Sequence, residues 1–111
     1  IDLFDLNRPL GHIPRGLIRM GTLPGSLAEF MDENPHTLVA LACFSVGLYD
    51  VTKGCLELIL PRCTVGSVLV FEVAGLPNWP GETKAIFDGL QRDFRLQRST
   101  LVPQFAWTVL E

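Results

Sequence analysis

A chain of 111 residues, 48% of them hydrophobic and 19% charged, has room for one domain and can bury a core without disulfides or metals to hold it. Nine Lys and Arg against twelve Asp and Glu give a formal net charge of −3, and the basic residues are scattered, which argues against a nucleic-acid partner. The longest apolar run, Leu38 to Val46, is far short of the roughly 20 residues that cross a bilayer, and no charged segment leads into an apolar signal, so the sequence reads as a soluble, cytoplasmic protein with no membrane partner.

In chain order, residues 1–16, with Pro9, Gly11, Pro14 and Gly16, read as an irregular N-terminal arm, and residues 17–111 as a single α/β domain. The chain starts at Ile1 rather than Met, which points to a removed leader or a longer product. Leu17 to Met20 suggests a short strand closed by Gly21. Ser26-Leu27-Ala28-Glu29 matches a capping box and predicts a helix to about Glu33 that buries Leu27, Phe30 and Met31 before Asn34-Pro35 ends it. Thr37 to Val46 is nearly continuously apolar and predicts a strand covered on both faces at the centre of a sheet. Asp50 is placed to cap a second helix, with Val51, Cys55, Leu56 and Ile59 on its inner side, and Pro61 and Gly66 to stop it.

Ser67 to Val73 predicts a second buried strand ending in Glu72, followed by a Gly/Pro/Trp loop. Pro80 then opens a third helix with Glu82 in its first turn, where the helix dipole favours an acid, and with Ile86, Phe87, Leu90 and Phe94 facing inward. Arg95 to Thr100 and Gln104 to Leu110 suggest a closing antiparallel hairpin. The alternation of strand and helix predicts an α/β fold with a mostly parallel sheet and helices on both faces, and open sheets of that kind place ligands beyond the carboxyl ends of their strands. The three cysteines, Cys43, Cys55 and Cys63, form no C-x-x-C pair and read as buried thiols without a metal or redox role. His12 and His36 lie in turn-like contexts without partners at metal spacing.

Four stretches together carry a resemblance: Leu48-Tyr49-Asp50-Val51-Thr52-Lys53, Leu60-Pro61-Arg62, Gly66 to Glu72, and Trp79-Pro80-Gly81-Glu82-Thr83. In this order and spacing they resemble the macrocin O-methyltransferase-like group of class I S-adenosylmethionine (SAM) methyltransferases, which includes deoxysugar 3-O-methyltransferases. The likeness covers about residues 11–111 and implies an incomplete Rossmann-like methyltransferase sheet. In that family two earlier βα units supply the glycine-rich turn that meets SAM and the acid that holds its ribose; no G-x-G lies after a strand in this sequence.

The resemblance also marks where charged groups are expected. The first strand of such a site ends in a D-x-D pair, and the matching positions hold Ser45 and Gly47; the later strand ends in two acids, matched by Glu72 and Val73. A hard divalent ion needs converging carboxylates, so no metal ligand set is expected from these positions, and Gly47 leaves no general base. No catalytic residue and no resident cofactor are assigned; SAM and a divalent metal enter only if the chain is part of an enzyme. Tyr49, Glu72 and Trp79 remain as candidate ligand contacts, against simpler roles as a turn cover, a rim carboxylate and a loop anchor.

Three functions follow in order. The first is a methyltransferase-derived domain without catalysis of its own, acting through self-association as a dimer or through a partner chain, because the strand at Thr37 to Val46 would be left with an unpaired edge. The second is a fragment of a SAM-dependent sugar O-methyltransferase whose SAM-binding half is missing or supplied by another chain. The third is a small-molecule binding module around Tyr49, Glu72 and Trp79.

Overall fold

The computed structural model describes residues 7, 9, 10, 12, 13, 16–90 and 93–111. The expected N-terminal arm lies largely outside these residues; its described positions form turns and a bend. Helix α1 (Gly25–Glu33) leads into strand β1 (Val39–Phe44), helix α2 (Tyr49–Ile59) with a 3₁₀ turn (Leu60–Arg62), strand β2 (Cys63–Phe71), helix α3 (Gly81–Gly89), and the short strands β3 (Gln97–Arg98) and β4 (Ala106–Val109). The sheet order is β1-β2-β4-β3. β1 and β2 are parallel, as a strand-helix-strand crossover requires, while β4 runs antiparallel to both β2 and β3.

The result is the mixed, helix-flanked sheet of an incomplete Rossmann-like methyltransferase fold, and the structure locates the incompleteness. Met31 of α1, Cys55, Leu56 and Ile59 of α2, and Ile86 of α3 join one core cluster with Phe44, Leu69, Phe71 and Ala106 of the sheet. Phe44 and Phe71, opposite each other in the ladder, stack with ring centroids 5.0 Å apart. Side chains alternate along a strand, so Leu41, Cys43, Val68, Val70, Trp107 and Val109 project from the other face. None of these six belongs to the core cluster, and Leu41 is 60% exposed.

Several sequence expectations change for local reasons. Leu17 to Met20 forms no strand, and Leu17, Ile18 and Met20 are exposed. The apolar strand at Val39–Phe44 stands at the edge of the described sheet rather than its centre. Helix α1 begins ahead of the expected capping box: Pro24 is the N-cap residue and its carbonyl accepts from Ala28 N–H, so Ser26 falls inside the first turn. Asp50 also lies in a first turn, behind Leu48 as N-cap residue.

β2 starts at Cys63, four residues before the expected Ser67, because Gly66 does not stop the chain. At φ +92° Gly66 adopts a conformation open to glycine and bends the strand where its register with β1 slips between Val39 and Leu41. Ser67 secures the irregularity: its hydroxyl accepts from Thr64 N–H at 2.9 Å and donates to the Val39 carbonyl at 2.6 Å. Helix α3 ends at Gly89, so Leu90 is buried just beyond it, Phe94 lies in the following segment, and Phe87 is exposed while its ring meets that of Phe94 at 5.6 Å. Cys43 is exposed and Cys63 half-buried; Cys55 is buried, and burial pushes its thiol above the usual range. No helix among the described residues is long and apolar enough to cross a membrane.

Candidate functional site

The carboxyl ends of β1 and β2 lie side by side, and the segments leaving them carry Ser45, Gly47, Glu72 and Val73. Two parallel strands ending together leave backbone N–H groups beyond the ladder that need acceptors. Glu82, one residue into α3, reaches back to supply them. Its Oε2 accepts from Gly47 N–H at 3.1 Å and its Oε1 from Val73 N–H at 3.0 Å, with the side chain fully buried. Glu82 is therefore more than an acid at a helix start: it ties the two strand ends to each other and to the helix.

Its neighbours in Trp79-Pro80-Gly81-Glu82-Thr83 complete the tie. Thr83 Oγ1 accepts from Gly75 N–H at 2.7 Å. Gly81 packs so closely on the segment after β1 that an added Cβ would lie 2.8 Å from Tyr49 N and 3.0 Å from the Gly47 carbonyl. The Gly-Glu-Thr part of the motif is thus a backbone clasp. Trp79, just before it, closes a turn through its N–H to the Leu76 carbonyl at 3.1 Å, and its side chain is 57% exposed.

The structure pairs Ser45 with Glu72: the hydroxyl donates to Glu72 Oε2 at 2.5 Å. It does not pair Tyr49 with them. Tyr49, the first residue of α2, donates its hydroxyl proton to Asp88 of α3 at 2.8 Å, and Lys84 Nζ lies 5.0 Å from its ring centre. The Asp88 carboxylate accepting that proton, with partial desolvation, pushes the phenol above its usual range. Tyr49 thereby joins the outer sides of α2 and α3.

One carboxylate and one hydroxyl do not make the oxygen cage a hard cation requires, and the nearby carboxylate of Glu82 is engaged by backbone amides. Among the described residues, no group of three or more His, Cys, Asp and Glu is placed to hold a metal. Gly47 has φ +73°, a backbone state that favours glycine over a residue carrying an acid. A groove of about 280 Å³ lies elsewhere, beside α1, lined by Leu17, Arg19, Leu23, Ser26, Leu27 and Phe30. Sequence reasoning missed the clasp; its signal was an acid and a hydroxyl set one and two residues after a glycine at a helix start, directly following a buried strand.

No family model and no curated protein matches the chain. Solved structures do. CalS11, a TDP-rhamnose 3′-O-methyltransferase of calicheamicin biosynthesis in its apo form, is 32% identical, with a TM-score of 0.89 over 97% of this chain and 48% of its own. A second structure of CalS11, described as a calicheamicin methyltransferase, gives the same identity and TM-score over 97% of this chain and 43% of its own. The chain spans about half the length of these relatives. The likeness is consistent with a partial class I SAM-dependent methyltransferase domain, and the stretches from Leu48 to Thr83 lie within the matched part.

Proposed function

We propose that this methyltransferase-derived domain has no catalysis of its own and acts by association, closing its sheet along β1 with a strand from a second copy or from another βα segment. The observation that carries the reading is the position of β1. It is a six-residue apolar strand with one neighbour among the described strands, so half of its backbone N–H and C=O groups point away from the described sheet. The strand ends add support, because Ser45, Gly47, Glu72 and Val73 offer one carboxylate where the family chemistry calls for several. Tyr49 and Trp79 serve the domain here as a helix-to-helix tie and a loop residue, and Glu72 as a rim carboxylate.

Calorimetric titration with SAM and S-adenosylhomocysteine tests the first half of this reading. No heat is expected up to millimolar ligand. Micromolar binding by the chain alone would show a self-contained cofactor site and overturn it.

The length of CalS11 favours a second reading, in which this chain is the later half of a SAM-dependent sugar O-methyltransferase and its SAM-binding half is supplied in addition. On that reading the assembled protein would methylate a hydroxyl of a nucleotide sugar, the substrate class of CalS11. Addition of the other half should then bring SAM binding.

A further inference from the structure

One row of residues crosses the sheet near its carboxyl end: Phe44, Phe71, Ala106 and Arg98, each paired with the next. Because β4 is antiparallel to both of its neighbours, β3 points the same way as β1 and β2, and all three end on the edge that carries Ser45 and Glu72. Residues opposite one another share a face, which puts the Arg98 side chain on the face of Phe44 and Phe71. Ala106, standing between Arg98 and Phe71, has only a methyl group, so a long side chain can cross β4 there.

The Arg98 guanidinium comes to rest on the loop that follows β2. A Cβ added to Gly75 would lie 2.8 Å from Arg98 Nη2 and 3.6 Å from Cζ. Gly75 itself stands at φ +79° and donates its N–H to Thr83 Oγ1, so the surface beneath the cation is bare backbone anchored to α3. From this placement we infer that Arg98 reads a phosphate-bearing ligand at the strand ends. The role does not depend on association along β1.

Three features argue for that ligand. A guanidinium offers parallel N–H donors that match two oxygens of a phosphate, and it favours the more highly charged anion. Arg98 is exposed, and the ion pairs among the described residues are those of Arg19 and Lys53, which leaves its charge available. The nearby acids are engaged away from it: Glu72 accepts from Ser45 on the β1 side, and Glu82 accepts from the amides of Gly47 and Val73. The same loop carries Trp79, whose exposed indole is a flat surface on which a base joined to the phosphate can stack.

Calorimetric titration of the 111-residue chain at low ionic strength, where an exposed charge is least screened, tests the inference with inorganic pyrophosphate, uridine diphosphate and succinate. Pyrophosphate should bind, and succinate should bind at least about tenfold more weakly. Arg98→Gln should weaken pyrophosphate binding by about tenfold or more, and Arg98→Lys, which keeps the charge and loses the fork, should fall between. Arg95→Gln makes the same change of charge at an exposed arginine ahead of β3 and should leave binding as it is. Circular dichroism establishes that each variant is folded. Uridine diphosphate bound about tenfold more tightly than pyrophosphate would assign the phosphate to a nucleotide, and equal affinities would assign it to the diphosphate alone; either keeps Arg98 as its reader.

The absence of heat from both phosphate probes up to millimolar concentration would overturn the inference. Equal losses in Arg95→Gln and Arg98→Gln would do the same, since they report net charge and not place. Succinate bound as tightly as pyrophosphate would remove the preference for phosphate and sink the assignment. None of these outcomes bears on association along β1.

Discussion

The two faces of this sheet are built from the same strands and have opposite fates. On one, Phe44, Leu69, Phe71 and Ala106 share a core with residues of the three described helices; on the other, Leu41, Cys43, Val68, Val70 and Trp107 alternate with them residue for residue and stand outside that core, with Leu41 and Cys43 exposed. The contrast shows that apolar content along a strand does not by itself fix burial: among the described residues the same strands are packed at Phe44 and Phe71 and open at Leu41 and Cys43.

The strongest way to break the contrast is at the clasp. Glu82→Ala leaves the amides of Gly47 and Val73 buried without an acceptor and should cost about 3–5 kcal/mol, given that bonds to a charged group contribute about 1.5–3 kcal/mol each. Urea denaturation measures it, and a loss below 1 kcal/mol would mean that water replaces the carboxylate. A leucine pair sharpens the comparison of faces. Leu69→Ala, in the covered layer, should lose about 3 kcal/mol, whereas Leu41→Ala should cost under about 0.5 kcal/mol in the isolated chain. Equal losses at both sites would show that the second face is already covered in solution.

The smallest effect concerns the outer side of the helices. Tyr49 is the chain's one tyrosine, so its ultraviolet titration is read without interference. Because the phenol is raised by Asp88, the folded state holds the proton more tightly than the unfolded one. The tie therefore contributes below the ordinary tyrosine range and is lost as pH rises through the folded value. Asp88→Asn should lower the titration midpoint, and an unchanged midpoint would remove Asp88 as the cause.

The helices and strands were legible because their inward residues repeat at the right periods, and the ancestry was legible from Tyr49 to Thr83. The open edge was legible only once the resemblance indicated a missing neighbour, since apolar content cannot distinguish a central strand from an exposed one. Caps were misplaced at Ser26 and Asp50 because Pro24 and Leu48 set the helix starts, and a single side chain does not decide which residue leaves the helix. Gly66 read as a stop because glycine marks a break and a bend equally well. Glu82 was read as a local acid, and its true partners lie 9 and 35 residues away, at a distance no local pattern encodes.

Arg62, in the short turn before β2, donates from Nη1 to the carbonyls of Asn34 at 3.1 Å, Pro35 at 2.7 Å and Thr37 at 3.4 Å, and from Nη2 to that of Met31 at 3.3 Å. A planar cation spanning seven residues of another segment acts as a rivet: the end of α1, the approach to β1 and the entry to β2 share one pivot and cannot hinge apart without stripping several charged hydrogen bonds. The strand at Val39–Phe44 is therefore held on a stiff frame at its entry.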